Sequence, residues 1–250
     1  MKYIYITFIS ISTLFAQVNI EGMRNNDLDT SNLSFEFDSD LEKTNEEDFE
    51  LSSLVRYDHL FENKATFLVI LENEYKYQKD DESKDVVDNK GLLHLRYVYP
   101  LNNISIESFV QSEFDDFRLI LNRNLFGVGV RYNKNTMLLD SLFYGFGLMY
   151  EFEKYDVDPS IEKTLTKSTN YITFSKQLNP NIHLGSTSYI QFDISDVDQY
   201  RILNISQIGL QVSENINITF NMDVRYEPKP VIDSIENMYG NFSIGVAIFI

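Results

Sequence analysis

The sequence predicts an all-β fold, an up-and-down antiparallel transmembrane β-barrel of about 12 strands. Three observations predict it. Period-two alternation of apolar and polar residues recurs from about residue 32 onward, and no stretch after residue 17 sustains a helical period. The segments that alternate are joined by two kinds of connection taking turns, one tight and asparagine-rich, the other longer and more charged. The last residues read "GNFSIGVAIFI", a strand with hardly a polar side chain where a soluble chain ordinarily frays into a polar tail.

The elements follow in chain order. Residues 1–16, "MKYIYITFISISTLFA", hold one lysine, an apolar stretch and a small residue at the end, the pattern of a secretory signal peptide cut after Ala16. The stretch is short of the ~20 residues a spanning helix needs, so cleavage and export are expected. Residues 17–31 then form a periplasmic segment, and 32–250 form the barrel. Strands are expected near 32–41, 48–58, 65–77, 90–99, 103–114, 117–132, 137–153, 166–178, 181–194, 197–212, 215–227 and 238–250. The clearest sets Ile216, Ile218, Phe220, Met222, Val224 and Tyr226 on one face against Asn217, Thr219, Asn221, Asp223 and Arg225. Ile104 to Phe114 puts Ser105, Glu107, Phe109, Gln111 and Glu113 on its polar side. Leu142 to Phe152 sets Phe146, Leu148, Tyr150 and Phe152 against Gly145, Gly147, Met149 and Glu151. Residues 117–124 and 197–207 alternate poorly, which points to a bulge or a shifted face. The mean hydropathy of -0.24 is compatible with a membrane protein of this kind, because alternation cancels in any averaging window.

The tight connections are 59–64, 100–103, 133–136, 179–181 and 213–215; the longer set is 42–47, 78–89, 154–165 and 228–237, with shorter members at 115–116 and 195–196. Short periplasmic turns and longer external loops are the habit of outer-membrane barrels. Tyr57, Tyr97, Tyr99 and Tyr132 precede tight turns, while Tyr75, Tyr77, Tyr150, Phe152 and Tyr226 precede long loops, as two interfacial aromatic girdles require. The final strand is expected to close on the first, since the bilayer core has no water to satisfy an open edge. Ser243, Gly245, Ile248 and Ile250 fit the C-terminal signal read by the outer-membrane insertion machinery, with the aromatic Phe249 one place early. The expected partners are thus the lipid bilayer and that machinery.

The stretch "LRYVYPLNNISIESFVQSEFDDFRLILNRNLFGVGVRY", followed by "LFYGFGLMYEFE", resembles a family of uncharacterised outer-membrane proteins often labelled salt-induced. The Tyr-Pro-Leu turn at 99–101, "ESFVQ" at 107–111, "RNLFGVGVRY" at 123–132 and "GFGLMYE" at 145–151 carry the resemblance, which covers roughly residues 90–155. It implies an outer-membrane location and a barrel, and no established substrate.

The candidate site is a lumen charge cluster of Glu107, Gln111, Arg118, Arg123, Arg131 and Glu151, all but Arg118 sharing the parity of the polar faces. A turn at 115–116 would set Arg123 across from about residue 108, near Glu107; a turn at 133–136 would set it over Gly147, and Arg118 would approach Glu151. Such a cluster either braces the interior or lines a charged constriction. No metal or cofactor is expected, because the acidic run 38–50 lacks calcium-loop spacing and the chain has no cysteine. The charge of -17 speaks against nucleic acid. His59, His94 and His183 are followed two residues later by Phe61, Arg96 and Gly185, so none builds a same-strand His-x-Ser pair. The expected function is therefore non-enzymatic, either a narrow passive channel or a structural envelope component. The alternatives are an enzyme at the lumen or rim, and a soluble periplasmic barrel enclosing an apolar ligand. Glu107, Arg123, Arg131 and Glu151 separate the last from the first: enclosed in one, solvated in the other.

Overall fold

The computed structural model describes residues 31–43, 47–79, 84–134, 136–213, 216–232 and 236–248. The expected signal peptide, all of the 17–31 segment except Ser31, and the terminal Phe249 and Ile250 lie outside these residues. Of Ser243, Gly245 and Ile248 only the backbone is described.

Twelve strands follow one another: β1 (Ser31–Lys43), β2 (Glu47–Leu60), β3 (Thr66–Lys79), β4 (Lys84–Leu101), β5 (Ile104–Asp115), β6 (Ile120–Asn133), β7 (Ser141–Tyr155), β8 (Ile161–Asn179), β9 (Ile182–Asp193), β10 (Tyr200–Ser213), β11 (Ile216–Tyr226) and β12 (Met238–Ile248). Each pairs antiparallel with its sequence neighbour, in the order β1 to β12. Every strand expected from alternation is present.

The wall curls round on itself. Tyr171 of β8 donates a hydrogen bond to Glu107 of β5 at 3.0 Å, and Arg201 of β10 lies 3.6 Å from Glu151 of β7. Strands three apart would stand about 14 Å from each other in a flat sheet, at roughly 4.8 Å per strand. The seam between β1 and β12 is not among the pairings of the described residues.

The two faces are inside-out relative to a soluble protein. Outward positions are apolar and exposed: Leu33, Phe35 and Phe37 on β1, Ile106 and Val110 on β5, Phe126, Val128 and Val130 on β6, Phe146 (58% exposed) and Leu148 on β7. Inward positions hold Arg123 and Glu151, both 0% exposed, with Glu107, Arg131 and Glu153 nearly as deep. A soluble barrel with an apolar interior would show the reverse. The interior is not wholly polar, however: Leu68, Ile70 and Leu92, with Leu54 against them, form an apolar cluster inside the wall.

Three expectations need correction. The stretches 78–89 and 154–165 are largely strand, because β3 runs to Lys79, β4 begins at Lys84, β7 runs to Tyr155 and β8 begins at Ile161. Backbone pairing does not stop where side chains turn polar, and Lys154–Glu162 at 2.9 Å shows such an arm braced across its strands. The β6–β7 connection, 134–140, is longer than the β5–β6 one, 116–119, so loop length no longer orients the wall. The expected irregularity near 117–124 is present as register shifts at Glu113/Asp115 and Ile120/Asn122; the other is absent from 197–207, and β10 is instead bulged at Gln211/Ser213.

Inward glycines let aromatic rings lie flat on the wall. A Cβ on Gly145 would stand 1.9 Å from the Tyr171 ring, and one on Gly127 would stand 2.3 Å from the Phe109 ring. Gly185, by contrast, has no atom nearer than His183 Nε2 at 3.8 Å. Gly145→Val should therefore lower the unfolding free energy of the folded protein in detergent, read from denaturant unfolding, by about 1–3 kcal/mol, the cost of overpacking. Gly185→Val should leave it nearly unchanged, and equal effects would show that the ring contact is not a constraint.

Candidate functional site

Alternation on β5, β6 and β7 aims Glu113, Arg123, Glu151 and Glu153 into the lumen, and register brings them to one level. Arg123 stands directly across from Glu113 on one side and Glu153 on the other. Its Nη1 lies 2.7 Å from Glu113 Oε1, its Nη2 2.8 Å from Glu151 Oε1 and its Nε 3.0 Å from Glu153 Oε1. Lys167 of β8 meets the other Glu151 oxygen at 2.8 Å. Arg201 of β10 lies 3.6 Å from both Glu151 and Glu153 and pairs with Glu227, just past β11, at 3.2 Å. Arg225 shares Glu227 at 2.6 Å, and Tyr155 donates to Glu153 at 2.8 Å. Cations and carboxylates alternate across the lumen, so each buried charge faces its opposite.

A second cluster lies nearer the 102–103 and 134–140 turns. Glu107 accepts from Arg96 at 2.7 Å and from Tyr171 at 3.0 Å, and lies 3.3 Å from Arg131. The Arg131 guanidinium sits 4.8 Å above the Phe143 ring. Gln111 joins the clusters. Its amide nitrogen donates to Glu113 at 2.5 Å, leaving its oxygen to accept from His94 Nδ1 at 3.0 Å. That geometry places a proton on His94 Nδ1. His94 also stacks on Phe109, with ring centroids 5.8 Å apart.

Between these charges, Leu125, Met149 and Leu203 are buried on the inner face. The cavity bounded by Glu72, Lys90, Leu92, Glu113 and Asp115 measures about 10 Å³, room for about one water. At the level of Arg123 the lumen is occupied by side chains.

Five of the six expected cluster residues are brought inside and buried, but with other partners than expected. Arg123 faces Glu113 and Glu153 instead of residue 108 and Gly147, because the hairpin turns lie at 116–119 and 134–140, later than the sequence suggests. Arg118 lies in the β5–β6 turn against Asp115, at 3.9 Å, and not against Glu151. Asp115, expected as loop charge, is buried at the strand end and accepts from the Arg118 backbone N–H at 3.0 Å. Glu153, Lys167 and Arg201 were missed. Parity alone could have found the first two, whereas Arg201 lies in the stretch that alternates poorly. All nine expected girdle aromatics point outward, in two bands: Tyr57, Tyr97, Tyr99 and Tyr132 near one end, Tyr75, Tyr77, Tyr150, Phe152 and Tyr226 near the other.

The structure also pairs a serine with a histidine across strands, which no same-strand motif reveals. Ser31 Oγ and His59 Nδ1 are 2.7 Å apart on the outer face. Among the described residues the imidazole is flanked by the Tyr57 and Phe61 rings, and no carboxylate or amide of theirs is paired with it to orient it as a catalytic base requires.

A family model described as "Protein of unknown function, DUF481" matches residues 25–238, and the chain belongs to that family. No curated protein matches the sequence. Among solved structures, the translocator domain of autotransporter NalP from Neisseria meningitidis is 12% identical with a TM-score of 0.44, covering 87% of each chain. The NanC porin is 12% identical with a TM-score of 0.45, covering 88% of this chain and 100% of the other. A KdgM porin in complex with disordered oligogalacturonate is 14% identical with a TM-score of 0.38, covering 82% and 96%. These likenesses are distant, and the fold stands on the strand pairing alone.

Two outcomes follow from the cluster. Arg123→Met leaves three enclosed carboxylates short of a partner and should cost about 3–5 kcal/mol in denaturant unfolding. Adding Glu151→Gln should cost less than the sum of the single changes, and strict additivity would contradict the shared network. For Glu227, burial raises the carboxyl pKa, but Arg201 and then Arg225 outweigh it and hold the group well below the ordinary carboxylate range. Its contribution is thus fully present above the unfolded value of about 4.3 and is lost as pH falls further into the acid range. Glu227→Gln should therefore destabilise the protein at pH 7, with the gap to the unsubstituted protein narrowing in strong acid. A gap that does not change with pH would rule the pairing out as its source.

Proposed function

We propose that this protein is an integral outer-membrane barrel without enzymatic activity, whose lumen is sealed by its own ion pairs. It then serves the envelope as a closed structural component and not as an open diffusion pore. The observation that carries this reading is the complete burial of Arg123 among Glu113, Glu151 and Glu153, carboxylates supplied by both neighbouring strands. A passage for solutes would require that network to part.

The outer membrane is the reading of the exposed apolar wall together with the expected signal peptide. In it the two aromatic bands sit at the two interfaces. The sequence of β12 serves as the address for the insertion machinery. The expected salt-induced label describes when a protein is made, and nothing in the cluster depends on it.

The test is current across a planar bilayer. The protein, recovered from membrane fractions and shown to be folded by a heat-dependent shift in gel mobility, should pass no steady current at neutral pH. An Arg123→Ala/Glu151→Ala double variant that keeps the mobility shift should pass ions. Steady ohmic current through the unsubstituted protein would overturn the sealed lumen, and recovery in the soluble fraction would overturn the membrane reading.

A further inference from the structure

The outer wall is not uniformly apolar. On β8, β9 and β10, outward positions carry Ser168, Asn170, Ser186, Ser188, Asn204 and Ser206, where β5–β7 present Ile106, Val110, Phe126, Val128, Phe146 and Leu148. Register joins most of these side chains: Ser186 stands across from Ser206, Ser188 from Asn204, and Asn170 from Ile190. Ser186 and Ser206 hydroxyls are 2.9 Å apart, and the Asn204 amide donates to Ser188 at 2.7 Å. Ser206 donates to the Asn204 oxygen at 2.9 Å. The patch is half-buried and lies midway along these strands. Beside it, Ile190, Phe192, Val197 and Tyr200 line an apolar cleft of about 250 Å³ on the same outer face.

We infer that this face is the interface at which two copies of this chain meet in the membrane. These groups bond to one another within the wall, but each hydroxyl and amide has more donors and acceptors than those bonds use; hydrocarbon offers nothing to the rest, and a lipid headgroup does not reach the middle of the wall. A second copy does both. Inserted in the same direction, it carries the same patch at the same depth, and a two-fold axis along the membrane normal sets patch against patch. Hydroxyls and amides each donate and accept, so the patch is complementary to itself. Small residues at its centre let the two walls approach closely. The bordering cleft receives an aliphatic side chain from the opposite wall.

The inference rests on the membrane reading above. The chain contains no cysteine, so single cysteines report cleanly. Ser168→Cys, Ser188→Cys and Ser206→Cys, oxidised in intact membranes, should each give more disulfide-linked homodimer than Val128→Cys on the opposite wall. Native mass spectrometry should find the unsubstituted protein dimeric, and Ser186→Leu/Ser206→Leu monomeric with its heat-dependent mobility shift retained. Three results would overturn the interface: a monomeric unsubstituted protein, crosslinking at Val128 equal to that at the patch, or crosslinking to a different protein. Failure of the membrane reading would show itself separately, as a chain recovered outside the membrane fraction.

Discussion

Inside hydrocarbon, every backbone N–H and C=O must find its partner in the wall itself. The pairing of the described strands is what that constraint demands of a wall. Consecutive antiparallel strands meet it at least cost in connection length, and they supply the order β1 to β12. An open edge would leave two strands half paired, so the sheet curls far enough for β5 to touch β8 and β7 to touch β10. Once the wall curls, alternation does the sorting: one parity faces outward and the other is enclosed.

The enclosed parity then has to fill or hydrate the lumen. At the level of Arg123 it fills the lumen. Aromatic rings lie over glycines, aliphatic side chains pack near β2–β4, and the charges pair among themselves. Such buried pairs are costly to desolvate, and their contribution to stability lies mainly in the cost of breaking them. They fix how β5, β6, β7, β8 and β10 sit relative to one another, because Arg123, Lys167 and Arg201 all reach the same Glu151 from different strands. The acidic character of the whole chain does not extend to this level of the lumen, where opposite charges match.

Much of this was legible in the sequence. Parity alone placed Glu107, Gln111, Arg123, Arg131 and Glu151 inside, because a strand side chain has only two directions to take. Partners were not legible, because register depends on where each hairpin turns. Moving the β5–β6 turn from 115–116 to 116–119, with a bulge beside it, carries the residue across from Arg123 from about 108 to Glu113. Long-range pairs such as Tyr171 with Glu107 depend on curvature, which no local pattern encodes. Arg201 was hidden because residues 197–199 belong to a turn and blur the alternation that resumes at β10. The polar patch on β8–β10 was hidden by its own chemistry, since serine and asparagine on an outer face read as the polar side of a strand.

The sorting of faces is open to one direct measurement. The chain has no tryptophan, so a single one can be placed on either side of β7. In bilayers whose acyl chains carry bromine near the middle, the emission of Phe146→Trp should be strongly quenched and that of Met149→Trp nearly untouched. Quenching at position 149 with none at position 146 would mean that the wall faces the other way, and the enclosed charge network would go with it.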